Sequence, residues 1–309
     1  MGTADLACAS LQALAQSPGF QVLAVVTQPD RPKGRDLKPQ PSPVKTLALK
    51  LNLPVLQPER ARQEGFMAEL RPLAPDLIVV AAYGQILPQT ILDLPRFACL
   101  NVHTSILPRH RGAAPIQWAL LNDDAETGVT IMKMDAGLDT GAILSTQTTA
   151  IATADNAQTL HDRLAALGAD LLVRTIPDYV AGKISPRAQP ADGASYARKI
   201  TKEDGRLDWT QPARQLWNRI RAFTPWPGAF TFHQVESKPV LIKIWQADIL
   251  EHSGMAAPGE ILEAGRQGIL VRCGQNALNV QLLQREGSRR LNATDFLNGH
   301  PLQAGDRFT

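Results

Sequence analysis

Asn101 and His103 stand two residues apart at the end of an apolar run, and a proline-punctuated loop follows them to residue 116. Period-two alternation sends both side chains to the same side of an extended strand, so an amide and an imidazole can act on one small volume. A histidine gives or takes a proton near neutral pH, and a neutral amide can hydrogen-bond a carbonyl oxygen as it gains negative charge. That combination suits acyl transfer. A histidine in this role ordinarily needs a carboxylate to fix its tautomer and raise its basicity, and Asp139 in the GLDTG turn at 137–141 is the candidate. Taken alone, the pair equally describes two polar residues that cap a strand end and bond the backbone.

The elements that must position these residues are legible as alternating patterns. Short apolar runs at 22–27, 53–57 and 76–84 alternate with helical stretches at 44–51 and 60–71. Strand, helix, strand repeated in this way predicts an α/β domain with a doubly wound, mostly parallel sheet, whose ligand crevice lies beyond the carboxyl ends of the strands. Tyr83-Gly84 and Asn101-Val102-His103 both fall there. Residues 128–134 and 141–149 read as two strands joined by a glycine-marked turn, and a long helix over 156–180 closes the domain, giving a first domain of 1–182. Residues 183–201 are rich in Pro, Gly, Ala and Ser and read as a linker. From 202 to 309 an amphipathic stretch at 212–223 precedes five short strand candidates with glycine-marked turns, the pattern of a small antiparallel barrel or sandwich.

Composition excludes several classes. The 309 residues are 44% hydrophobic and 20% charged, which suits two globular domains. No stretch approaches the run of about 18 apolar residues of a membrane span, and the N-terminus lacks a signal-peptide order, so a cytoplasmic setting is expected. Cys8, Cys99 and Cys273 are widely spaced and predict neither a disulfide framework nor a zinc site. The six histidines show no metal-ligand spacing, and no metal is expected; His161, His233 and His252 read as surface or packing residues. Net charge is −2 over residues 1–182 and +5 over 183–309, a modest basic balance that fits either a polyanion partner or a solvated surface.

The whole constellation is more specific than its parts. Asn101-Val102-His103, Ser105-Ile106-Leu107-Pro108, Arg111-Gly112-Ala113-Ala114-Pro115-Ile116 and Asp135-Ala136-Gly137-Leu138-Asp139-Thr140-Gly141 closely resemble the signature of the 10-formyltetrahydrofolate-dependent formyltransferases. The loop Gln28-Pro29-Asp30-Arg31-Pro32-Lys33-Gly34-Arg35, the segment Pro41-Ser42-Pro43-Val44-Lys45 and the stretch Arg221-Ala222-Phe223-Thr224-Pro225-Trp226-Pro227 resemble the branch that acts in translation initiation. The resemblance runs through nearly all of the chain. It implies a Rossmann-like catalytic domain followed by an oligonucleotide-binding (OB-like) barrel that contacts tRNA, and a monomer with no membrane association. It implies transfer of a formyl group from 10-formyltetrahydrofolate to the α-amino group of methionine on initiator tRNA.

Residue by residue, the resemblance assigns catalysis to Asn101, His103 and Asp139. It places the folate co-substrate against Tyr83, Gly84, Ile86, Leu87, Ser105, Ile106, Leu107, Pro108, Asp135 and Gly137. It makes Arg31, Lys33, Arg35 and Lys38 an RNA-contacting set, with Arg35 matching the family's important basic residue. The structural reading of the same loop is a solvated, proline-stiffened segment.

The sequence departs from the family in three places. Thr104 stands where the family has glycine, and an ordinary extended residue is expected there. Ala4 and Leu6 replace a proline and a phenylalanine. Residues 1–5 resemble the turn that follows the family's first strand, so that strand is expected to be missing, with a natural start upstream or a chain compromised by the loss. Two other functions fit part of the pattern: formyl transfer to a nucleotide sugar or purine precursor, which would share Asn101, His103 and Asp139, and RNA binding without catalysis.

Overall fold

Apolar runs too brief for helices become the strands of this chain, and the amphipathic stretches between them become its helices. The computed structural model describes residues 1–33, 38–236 and 238–309. Its contacts divide the chain into two units, the first made of Met1–Pro115, Glu126–Ala150 and His161–Arg198, the second of Ile116–Ala125, Ile151–Leu160 and Lys199–Thr309.

The first unit opens with α1 (Leu6–Gln16), β1 (Val25–Val26), the hairpin β2 (Arg31–Lys33) and β3 (Lys38–Gln40), α2 (Pro43–Lys50) and β4 (Val55–Leu56). Then come α3 (Glu64–Leu70), β5 (Leu77–Val80), α4 (Gln89–Leu92), β6 (Ala98–His103) and β7 (Arg111–Gly112). After α5 (Pro115–Leu121) follow β8 (Glu126–Lys133), β9 (Ile143–Ala150), α6 (Ala157–Val180) and β10 (Tyr196–Ala197). Local chemistry sets the boundaries: Ser42 caps α2 by accepting from the Lys45 amide, with Pro43 at the first helical position.

The fold is Rossmann-like α/β. β5, β6, β8 and β9 form one sheet in that order, and β1 pairs in parallel with β4. β5 and β6 are parallel with Val80 opposite Asn101, so the loops carrying Tyr83 and His103 leave the same end of the sheet. β8 runs antiparallel to β6, and β9 runs antiparallel to β8 because the segment 134–142 that joins them is too short for a crossover helix. β6 is buried on both faces except at Asn101, as a central strand requires.

Met1 and Gly2 take a strand-like place between β1 and β5: Gly2 N donates to Val26 O at 2.9 Å, Met1 N to Val79 O at 2.6 Å, and Gly2 bridges Ala81 in parallel. Alongside lies a cavity of about 620 Å³ lined mostly by apolar residues, among them Leu11, Leu14, Phe20, Val22, Leu77 and Val79. Burial pushes the Met1 amino group down to about 6.

The second unit holds α7 (Ala213–Ala222), β11 (Ala229–Val235), β12 (Lys238–Leu250), β13 (Ile261–Gly265), β14 (Gly268–Arg272), β15 (Ala277–Arg285), β16 (Leu291–Asn292) and α8 (Ala293–Gly299). Strands β11, β12, β15, β14 and β13 are neighbours in that order, and every pairing among them is antiparallel. Residues 305–309 close the sheet into a barrel, bonding Gly259 and Ile261 on one side and Phe232 on the other. Its core is aliphatic, with Ile242, Ile244, Ile261, Ile269, Val271, Leu278, Val280 and Leu283 fully buried, and Trp209 stacks on Phe308 at 5.9 Å.

Segments 116–125 and 151–160, read from the sequence as parts of the first domain, belong by their contacts to this second unit. Arg214 forks onto Asp123 at 2.8 and 2.9 Å, and Arg221 donates to the carbonyls of Asp155 and Ala152 at 2.6 and 2.8 Å. Both guanidinium groups lie over the Trp217 ring, at 4.8 and 4.1 Å from its centroid. Burial pushes the Cys99 and Cys273 thiols up to about 12, as expected of packing residues. No described helix is long and apolar enough to cross a membrane.

Candidate active site

The end of β6 brings together the side chains singled out from the sequence. Val102 points into the sheet's packed side, and alternation leaves Asn101 and His103 together on the other. Asn101 Nδ2 donates to Asp139 Oδ1 at 3.2 Å, and His103 Nδ1 faces Asp139 Oδ2 at 3.7 Å. The second carboxylate oxygen also accepts from the Gly112 amide at 2.8 Å. Three side chains separated by up to 38 residues therefore meet at one strand end.

The tautomer of His103 is fixed from the backbone. Its Nε2 lies 2.9 Å from the His110 carbonyl, an acceptor, so Nε2 carries hydrogen and donates. The neutral ring then presents Nδ1 as a lone pair on the side of Asp139. Sequence reasoning gave the tautomer-fixing role to Asp139; the geometry divides the work, with His110 O setting the tautomer and Asp139 standing where a proton on Nδ1 would be stabilised. His103 is buried, so the charge it would gain has little solvent to share it.

Asp139 reaches this place through an unusual backbone. Its φ is +53°, in the left-handed region, and the turn is tied by Asp135 Oδ1, which accepts from Gly137 N at 3.0 Å and Thr140 Oγ1 at 2.7 Å. Gly141 is obligatory, because a Cβ there would sit 1.8 Å from the Lys133 carbonyl. The loop on the far side is held by residues of the segment read as a linker. Ser195 Oγ accepts from His110 N at 2.9 Å, Ser195 O accepts from Arg111 N at 2.8 Å, and β10 pairs in parallel with β7.

A family model described as formyl transferase matches residues 1–176, and one described as formyl transferase, C-terminal domain, matches residues 199–301. The chain belongs to the formyltransferase family. A methionyl-tRNA formyltransferase of Caldanaerobacter subterraneus subsp. tengcongensis is 48% identical to this formyltransferase over 306 residues, covering 99% of this chain and 97% of the relative. Among solved structures, WlaRD, a sugar 3N-formyl transferase crystallised with dTDP and 5-N-formyl-THF, matches with a TM-score of 0.64 at 18% identity over 93% of this chain and 97% of that one. HypX from Aquifex aeolicus in complex with tetrahydrofolic acid matches with a TM-score of 0.57 at 19% identity over 85% of this chain. The formyltransferase spans 47% of the HypX chain, about half its length. At such identities these two structures speak to the fold alone.

The remaining residues singled out from sequence divide by burial. Tyr83 and Leu87 belong to the formyltransferase's core cluster, and Ser105 and Leu107 are buried, so these four side chains are closed to a ligand. Burial pushes the Tyr83 hydroxyl up to about 12. Gly84 turns at φ +77°, and Ile106 and Pro108 are half-buried. Asp135 and Gly137 are exposed, as are two large apolar side chains, Ile86 at 88% and Leu138 at 59%. Thr104 has no positive φ, so its branched side chain is unstrained.

Arg31 and Lys38 are exposed on the β2–β3 hairpin, whose base is anchored by Asp30 to Lys45 and Gln57, both at 2.8 Å. Those two bonds, Lys45 first, hold the Asp30 carboxyl below the usual range. Arg35 lies outside the described residues. Sequence reasoning missed Gln28, whose amide donates to Tyr83 O at 2.8 Å, and Thr3, whose hydroxyl donates there at 3.0 Å. It also missed His110, Ser195 and Gln189. No pattern in the sequence marks them, because their contacts are mostly with backbone groups of neighbouring loops, which leave no spacing to read.

Proposed function

We propose that this formyltransferase moves the formyl group of 10-formyltetrahydrofolate to the α-amino group of methionine carried by initiator tRNA, in the cytoplasm. One observation carries the chemistry: an amide, an imidazole of fixed tautomer and a carboxylate converge at the end of β6. The acceptor is supported by a relative named methionyl-tRNA formyltransferase that is alike across nearly its whole length.

His103 Nδ1 takes the proton released as the methionyl nitrogen bonds to the formyl carbon. The imidazolium so formed faces the Asp139 carboxylate. As the formyl oxygen gains negative charge, the second amide hydrogen of Asn101 and the positive His103 ring stabilise it. The bond from the formyl carbon to folate N10 then breaks, and His103 returns its proton to that nitrogen, restoring the neutral ring.

The loops 83–87, 105–108 and 135–139 hold the folate. Backbone groups of Tyr83, Gly84, Ser105, Leu107, Asp135 and Gly137 pair with the polar edge of its pterin, while Ile86, Ile106 and Leu138 cover its faces. The catalytic work belongs to the first unit. Arg31, Lys33, Arg35 and Lys38, together with the basic stretch 183–309, hold the tRNA through its phosphates.

Acceptor competition tests this reading. Charged initiator tRNA is expected to be formylated, and an amino sugar nucleotide to be inert; formylation of the sugar alone would overturn it. Arg35→Ala is expected to slow transfer to tRNA on the order of tenfold, with a minimal methionyl ester unaffected. Equal losses on both acceptors would remove the loop from tRNA binding.

A further inference from the structure

We infer that Gln189 is a positioning residue for the transfer reaction, clamping the turn that presents Asp139; this rests on the reading of Asn101, His103 and Asp139 as the catalytic set. Gln189 lies in a polar, turn-rich stretch whose neighbours at 185–188 and 190 are exposed, yet its own side chain is turned inward. Its Nε2 donates to the carbonyls of both Asp139 and Gly141 at 2.8 Å. Its Oε1 accepts from Arg111 Nε at 3.0 Å and Arg111 Nη2 at 2.6 Å. Both donor hydrogens and both lone pairs of the amide are thereby used.

The contacts bracket the part of the site that most needs holding. Asp139 occupies a left-handed conformation that costs free energy, in an exposed turn, and its side chain must still meet Asn101, Gly112 and His103. The Gln189 amide grips the carbonyls at and just after that residue. Its other end grips Arg111, the neighbour of Gly112, whose amide holds the same carboxylate. On one side of Gln189, Arg187 exchanges two backbone bonds with Ile143 at 2.7 and 2.9 Å; on the other, Ser195 and Ala197 bond the 110–114 loop. Residues 187–197 thus form a strap across the Asp139 turn, and Gln189 is its buckle.

A glutamate at 189 keeps the length and the acceptor for Arg111 but removes both hydrogens that hold the turn. Gln189→Ala and Gln189→Glu are each expected to lower kcat by about tenfold to a hundredfold, the scale of a displaced catalytic group, with KM for both substrates nearly unchanged. The decisive measurement is a double-mutant cycle. In an Asp139→Ala background, Gln189→Ala is expected to cost less than about threefold more, because the group it positions is gone. The same fold-loss in both backgrounds, or a Gln189→Glu enzyme with wild-type kcat, would overturn the inference. Should Gln189→Ala fail to fold, Gln189→Glu runs through the same cycle. If Asp139→Ala alone stays within threefold of wild type, the catalytic reading itself falls, an outcome distinct from additivity.

Discussion

The two units spend backbone strain differently. In the barrel, four residues with positive φ sit at turns between strands: Glu236, Gly268 and Asn276 in hairpins, and Gly287 after β15. There the left-handed backbone reverses the chain, and the Asn276 side chain does no more than accept from the His252 amide at 3.4 Å. In the first unit, Ala82, Gly84, His110, Gly112 and Asp139 are left-handed too, and all lie in the loops beyond the carboxyl ends of β5, β6 and β8. There the same strain aims a carbonyl at His103, an amide at Asp139 and a carboxylate at both Asn101 and His103. Strain that ends a hairpin is replaceable; strain that aims a group is tied to its neighbours.

The largest break in this comparison should come from the aimed groups themselves. His103→Ala and Asp139→Ala are each expected to lower kcat by a factor on the order of 10² to 10⁴, while thermal melting of the barrel stays where it is. Single-turnover formylation beside a melting curve checks both halves.

A pair of glycines sharpens the contrast. At Gly112 φ is +109° and a Cβ would lie 2.8 Å from the Ala197 carbonyl, whereas at Gly287 φ is +76° and a Cβ meets nothing within 4 Å. Gly287→Ala should cost roughly 1 kcal/mol from backbone conformation alone. Gly112→Ala adds a clash with the strap, and about 2–3 kcal/mol together with a measurable loss of formylation is expected. Equal melting shifts and equal activities for the two variants would show that the loop at 112 is as tolerant as a hairpin end.

The smallest effect concerns pH and belongs to the barrel. Burial, then the nearby His233, then Arg285, lower the His300 pKa below its ordinary 6.5. His233 Nδ1 stands 3.3 Å from His300 Nε2, with Phe296 and Phe308 packed around the pair. Between the folded pKa and 6.5 the unfolded chain binds more protons, so stability rises with pH through that window and is lost as pH falls below 6.5. A His300→Gln barrel should melt with a shallower dependence on pH over that range; an unchanged slope would place the titrating group elsewhere.

How far the sequence reaches follows the same division. Asn101 and His103 were legible because a period of two is a rule of extended backbone, and the strands of the barrel because β-branched runs between glycines leave little alternative. Asp139 was legible by motif, while its left-handed backbone was not. The strap at 187–197 reads as a linker because a segment that works through scattered hydrogen bonds to other loops has the polar, aperiodic composition of one that does nothing. Closure of the barrel by residues 305–309 was equally silent, a strand too short to leave a pattern.

The assignment of 116–125 and 151–160 to the barrel's unit has a consequence for how this protein can be taken apart. The polypeptide passes from one unit to the other five times, so the two are stitched together along the chain. One protease nick in the exposed stretch 190–194 would cut none of the five stitches, and because the N-terminal piece keeps 116–125 and 151–160 of the second unit, the nicked pieces should co-purify. A fragment starting at residue 199 would carry α7 without Asp123 or the carbonyls of Ala152 and Asp155, leaving Arg214 and Arg221 with their guanidinium groups stranded beside Trp217. The second unit is less a detachable module than a garment half whose seam allowance was cut from the other half.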